Sequence, residues 1–170
     1  MRPRLLDRVP PRLRPAVLRL GFNFYPSYRA TGGRVIHVSA DLRTIRVVLR
    51  HSWRTVNPAG ALFGGALYAA ADPMFAMLLA LQLGDGVVVW DKAGRIRYRR
   101  PGRSHLYADF HVDAATVEAV RRELAERGEA ERSFHVALRD RHGQVHVELE
   151  KTVYCATKAH YRTKLARAAD

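Results

Sequence analysis

Between Ala59 and Leu83, twenty-five residues carry one charge, Asp72, and one side-chain amide, Gln82. A helix of that length reaches about 37 Å, enough to cross a bilayer. An Asp at the centre of such a span costs about 2.5 to 3.5 kcal/mol. Here it is followed by Pro73 and preceded by Gly60, Gly64 and Gly65. Strand-like amphipathic segments flank the run on both sides, so a membrane span is the weaker reading. The stronger one is a helix from about Gly65 to Leu83, apolar almost all round and enclosed by a sheet or a second subunit.

That setting makes Asp72 conspicuous. An ionised carboxylate in apolar surroundings costs several kcal/mol unless it is paired, and protonation is the usual escape. A carboxyl poised in that way is what a general base needs. The alternative is structural: Asp72 pairs with an Arg, or caps the break at Pro73, whose missing N–H frees the Ala69 carbonyl. Kink, burial and a lone acid coincide, which favours the functional reading. Upstream, Asn57-Pro58-Ala59-Gly60 reads as a turn and Phe63-Gly64-Gly65-Ala66 opens the helix, where bare N–H groups and the dipole favour a negative charge.

The flanking elements have clear periods. Strands are expected over 34–40 and 44–51, with Asp41, Leu42 and Arg43 as the hairpin loop. After the Gly84-Asp85-Gly86 stop, a long strand runs from Val87 to Arg100, with Arg95, Arg97 and Arg99 on one face. Asp91 and Lys92 are adjacent in it and point to opposite faces, so their partners lie elsewhere, and Trp90 is given a structural role. A strand over 104–112 leads to a helix over 114–127, capped by Asp113 and ended by Gly128. A hairpin over 132–139 and 144–156 follows, with Val145, Val147, Leu149 and Val153 on one face. The tail from Lys158 is expected to be frayed or a short helix. This order defines an α+β class: one antiparallel sheet wrapped around a long central helix.

Length and charge bound the rest. At 170 residues the chain holds one domain, divided as a basic N-terminal extension (1–33), a core domain (34–157) and a basic tail (158–170). The single Cys155 excludes an internal disulfide, and no Cys or His cluster has metal-ligand spacing, so no metal is expected and a reducing cytoplasm fits. Lys and Arg number 29 against 16 Asp and Glu, a net charge of +13. Residues 1–50 hold 11 Arg and 2 Asp, and only 4 basic residues in the chain are Lys. So strong an Arg bias can reflect genome composition, and surface solvation is the preferred reading. In the opening stretch, Leu13, Val17, Leu18 and Leu20 form one apolar face of a short helix, packing on the domain or resting on a membrane surface.

The run NPAGALFGGALYAAADP at Asn57–Pro73, with VVWDK at Val88–Lys92 and RRPGR at Arg99–Arg103, resembles the hotdog-fold thioesterase superfamily. Closest in pattern is the small bacterial group of unknown function beside the phenylacetyl-CoA type of thioesterase. The resemblance covers about 34–157. It implies a hotdog domain that hydrolyses an acyl-CoA or related thioester in a cleft between two subunits. Asn57 would orient substrate or water, the Gly65 N–H would hold the oxyanion beside Gly64, and Asp72 would activate water or attack the carbonyl. Phe63 stands where the related enzymes have His, and no His lies between Ser52 and Arg103, so dehydration is disfavoured. Arg97, Arg99, Arg100 and Arg103, with Lys92, become candidates for the phosphates of CoA, which enters as substrate and not as cofactor.

Three functions follow: an acyl-CoA thioesterase, carried by Asp72, Asn57 and the glycine pair; a non-catalytic acyl-CoA or fatty-acyl binding protein, carried by Phe63; and a nucleic-acid or membrane-surface adaptor, carried by the basic N-terminus alone. One sheet covers the helix on one side only, so a homodimer, or a tetramer built from it, is expected to close the site.

Overall fold

The computed structural model describes Leu6 and residues 8–169; the N-terminal Arg2 and Arg4 lie outside the described residues. A 3-10 turn (Pro11–Leu13) leads into α1 (Arg14–Phe24), α2 (Pro26–Ala30), β1 (Gly33–Val38) and β2 (Thr44–Leu49). The apolar run forms α3 (Gly64–Ala71) and α4 (Met74–Leu83). Then come β3 (Val87–Tyr98), β4 (Leu106–His111), α5 (Ala114–Arg127), β5 (Glu129–Arg139), β6 (Val145–Thr157) and α6 (Lys158–Ala169). The tail is therefore a full helix. Its docking is ionic: the Glu129 carboxylate accepts from Lys164 Nζ at 2.8 Å and from the Tyr154 hydroxyl at 2.7 Å.

All six strands form one antiparallel sheet in the order β1-β2-β4-β5-β6-β3, leaving β1 and β3 as edges. By length and composition alone, Gly64–Leu83 would pass for a membrane span. In the fold the sheet takes that place: Met74, Leu78 and Leu79 are fully buried with Ile45, Leu49, Phe110 and Leu149. Phe75 stacks on Phe134 at 4.6 Å and meets Phe110 edge-on at 5.2 Å.

The helix is not continuous. Asp72 N still donates to Tyr68 O at 2.9 Å, Pro73 has no N–H to donate, and the chain turns there before α4 resumes with Met77 N on Pro73 O. Gln82, the lone amide of the run, ties the end of α4 to the β1–β2 turn, its Nε2 donating to the Asp41 and Leu42 carbonyls. Leu42 takes a left-handed φ of 58° in that turn.

The N-terminal helix packs on the domain, with one correction. Leu18 and Phe22 are buried, whereas Leu13 and Leu20 point to solvent, so the expected single apolar face is split. The split follows from α1 running on to Phe24, which lets Phe22 and Leu18, one turn apart, face the sheet. Asn23 donates to Val35 O at 2.8 Å and accepts from Val35 N at 2.9 Å, so its amide pairs with the free edge of β1 as a strand would. The Tyr28 hydroxyl donates to Ala70 O at 3.0 Å, fastening α2 to the central helix.

Candidate active site

Asp72 sits at the helix break, where Pro73 ends the first half and turns the carboxylate toward β6 and β3. It is not the isolated buried acid expected from its apolar neighbours. Its side chain is 44% exposed and Lys151 Nζ lies 2.5 Å from Oδ1. The same ammonium reaches Asp91 Oδ1 at 3.2 Å and the Tyr68 hydroxyl at 3.2 Å. Three donor hydrogens meet three oxygens, so Lys151, itself 1% exposed, is fully satisfied. Burial works against the ammonium, yet its bonds to Asp72 and Tyr68 and the charge of Asp91 outweigh it and its pKa is raised. Burial likewise lifts Asp91 above the ordinary carboxylate range, and Lys151 opposes that without cancelling it.

Lys151 and Tyr68 were not among the sequence candidates. The signal was present: Val147, Leu149, Val153 and Cys155 occupy alternate, buried positions of β6, and the position missing from that stripe is Lys151. A lysine at the centre of an inward-facing apolar row needs a buried anion. Cross-strand register completes the site, because Lys151 faces Gly94 of β3. A Cβ on Gly94 would lie 2.1 Å from the Tyr68 hydroxyl oxygen, so this glycine is the space into which Tyr68 fits. The separation of Asp91 and Lys92 onto opposite faces holds, with the register shifting between Asp91 and Ala93: Asp91 pairs with Lys151 and Lys92 with Glu131.

The start of α3 at Gly64 lies eight residues before Asp72. Phe63 is the N-cap and is 57% exposed, with no side-chain cap bond. The Gly64 carbonyl accepts from the Tyr98 hydroxyl at 3.2 Å, and a Cβ on Gly65 would meet the Phe63 ring at 2.6 Å. Asn57 is committed locally: its Oδ1 accepts from Ala59 N at 3.0 Å and Ala61 N at 3.1 Å, which builds the turn before the helix. Only its Nδ2 remains for a ligand. Arg103 donates to Ala59 O at 3.2 Å on that turn, and Gly102 O accepts from Leu62 N at 2.8 Å, so the RRPGR segment abuts the helix entrance.

The other basic candidates are divided. Arg97 pairs in register with Glu148, and Arg99 donates to the same carboxylate at 2.8 Å, on the sheet face turned away from the helix. Within one chain they stand on the opposite face from Asp72. Arg100 donates to Val145 O at 3.0 Å at the end of β3. Trp90, given a structural role from the sequence, is 57% exposed and stands opposite Tyr154 of β6. It occupies an outward position on the edge strand β3. Among the described residues no group of three or more His, Cys, Asp or Glu is arranged to hold a metal ion.

A six-stranded antiparallel sheet curled about a broken central helix, with an acid at the break, defines a hotdog-fold protein, as the sequence resemblance implied. The chain belongs to the family described as domain of unknown function DUF4442, which matches residues 15–155. It is similar in structure to a Pseudomonas aeruginosa protein of unknown function described as a probable thioesterase. That likeness has a TM-score of 0.74 and 23% identity, covering 84% of this chain and 95% of the other. A Chlorobaculum tepidum protein of unknown function aligns with TM-score 0.69 and 16% identity, over 84% and 94% of the two chains. A Haemophilus influenzae thioesterase aligns with TM-score 0.63 and 17% identity, over 82% and 88%. No curated protein is significantly similar in sequence.

Proposed function

We propose that this chain hydrolyses an acyl thioester, with CoA as the preferred head group, in a cleft completed by a second copy of itself. The observation that carries the reading is the Asp72 carboxylate: half-exposed, fixed through Oδ1 by a satisfied Lys151, with Oδ2 unengaged by any described residue. A general base needs that combination of access and fixed aim. In the proposed reaction Asp72 accepts a proton from water as the water oxygen bonds to the thioester carbon. The Gly65 N–H donates to the resulting oxyanion. Collapse then breaks the C–S bond, and the thiolate takes the proton back from Asp72.

Asp72 and Gly65 are seven residues apart, about 10 Å along a helix. A carbonyl needs its oxyanion donor and its attacking water each within about 3 Å, so one chain's pair does not span a single carbonyl. A dimer resolves this by setting the helix start of one copy beside Asp72 of the other. The twelve-residue edge strand β3 supports it, since an unpaired edge of that length is a template for a second strand. In this reading Arg103, beside the helix entrance, takes the nucleotide end together with Arg100 of the same loop, while Asn57 Nδ2 orients the thioester. Phe63, an exposed aromatic in place of the histidine of related enzymes, favours a second reading, an acyl-CoA binding protein without turnover.

The test is release of free thiol from short, medium, long and aromatic acyl-CoAs by the wild-type protein and Asp72→Asn. Loss of about 100-fold or more in turnover, with CoA binding and fold retained, is expected for a general base. Binding without turnover by the wild type would establish the second reading instead.

A further inference from the structure

Most of the positive charge of the first fifty residues is not used by the site at Asp72. From Arg8 to Ala40 the chain has six arginines and no acid. Two of them, Arg29 at the end of α2 and Arg34 in β1, converge with Arg50 and Arg54 around a concavity of about 500 Å³, whose lining contains no carboxylate. Among the described residues none of the four makes an ion pair. Arg34 is held in the wall by donating to Gly33 O at 2.7 Å. Burial, and then the charges of Arg50 and Arg29, depress its pKa. Four guanidiniums gathered without a counter-charge repel one another, and an anion placed among them relieves that repulsion.

The residues beside this pocket are aromatic and exposed. Tyr25, next to Pro26 in its wall, is 63% exposed, and Phe24 before it 70%. Trp53, between the lining residues Ser52 and Arg54, is 81% exposed, with the Arg54 guanidinium 4.9 Å from its ring centroid. Leu13, at the end of the turn before α1, is also exposed, as is Leu20, one turn from Phe24 on the same side of α1. Apolar and aromatic side chains mixed with arginine are the composition of a surface that sits at lipid headgroup level. A site for a phosphate in free solution has no use for the aromatic rim.

We propose that Arg29, Arg34, Arg50 and Arg54, rimmed by Phe24, Tyr25 and Trp53, form a docking surface for the phosphate headgroups of an anionic membrane. It lies at the β1 edge, across the sheet from β3, so docking leaves the β3 edge free. The inference is independent of the thioesterase reading.

Co-sedimentation of the full chain with vesicles of phosphatidylcholine, alone or mixed with phosphatidylglycerol, tests it. Binding is expected to the mixed vesicles only, and to fall with salt. Arg50→Ala with Arg54→Ala should weaken it about 30-fold, the factor for two basic residues near an anionic surface. Arg122→Ala with Arg162→Ala, an equal loss of charge at other exposed sites, should leave it within about twofold if the pocket is the site. Trp53→Ser should weaken binding several-fold at constant charge, which keeps the test valid if the arginine pair fails to fold. Absence of binding to either vesicle, or equal losses from both arginine pairs, overturns the proposal. Calorimetric titration with inorganic pyrophosphate separates the source: saturable binding lost in the Arg50/Arg54 variant, without vesicle binding, identifies a soluble phosphate ligand and also overturns it.

Discussion

Lys151 Nζ lies 2.5 Å from Asp72 Oδ1, across 79 positions of sequence, and brings Asp91 and Tyr68 onto the same ammonium. One cation thus holds two carboxylates. Lys151→Met leaves the two acids facing each other without it. Breaking a buried pair costs about 3 to 5 kcal/mol, and Asp72 is half-exposed, so a loss of about 2 to 4 kcal/mol is expected by urea denaturation. Adding Asp91→Asn to that variant should recover part of the loss.

Asp91→Asn alone tests the balance at the less exposed acid. The Asp91 pKa is raised above its ordinary 3.8. The folded state therefore binds its proton more tightly than the unfolded state, and ionised Asp91 subtracts from stability. That penalty is absent below pH 3.8 and grows as pH rises through the folded-state value. The variant should match the wild type at low pH and equal or exceed it at neutral pH, measured as denaturation midpoints across that range.

Gly94→Ala places a methyl carbon 2.1 Å from the Tyr68 hydroxyl oxygen. Tyr68 must then swing away and release its bond to Lys151. Overpacking of this kind costs about 1 to 3 kcal/mol. Tyr68→Phe removes the oxygen that clashes, so the double variant should be less destabilised than the sum of its parts, read by a double-mutant cycle.

The carboxyl of Glu129 is held down to about 2 by its bonds to Lys164 and Tyr154. A depressed acid stabilises the fold above its unfolded-state value of 4.5, and that contribution is lost as pH falls toward about 2. Because Glu129 anchors α6, amides of Lys158–Ala169 should lose hydrogen-exchange protection over that interval before those of β6 do. Glu129→Gln should show the same loosening at neutral pH.

Local pattern carried much of the architecture into view. The alternation of β6, the apolar run, the Asp113 cap and the Gly128 stop each depend on neighbours a few residues away, and each appears in the structure within a few positions of expectation. Pro73 was a sure break because the missing N–H is a property of the residue itself. Asp72 was recognisable as the unusual acid for the same reason. Its partner was not, although the gap at Lys151 in the apolar stripe was there to be read.

The sequence by itself determined which elements of the core domain form, in what order, and which side of its strands is apolar, because those follow from residue type and periods of 2 and 3.6. Only the tertiary structure decided what meets across them. Placing β6 between β5 and β3, in the register that sets Lys151 opposite Gly94, is what gives Asp72 a cation and Tyr68 a cavity. The same pairing turns Arg97 and Arg99 to the far face, and at the other edge the separate pairing of β1 with β2 draws Arg34 and Arg50 together. A slip of one residue would reverse every one of those facings, and the period of a strand carries no record of its partner.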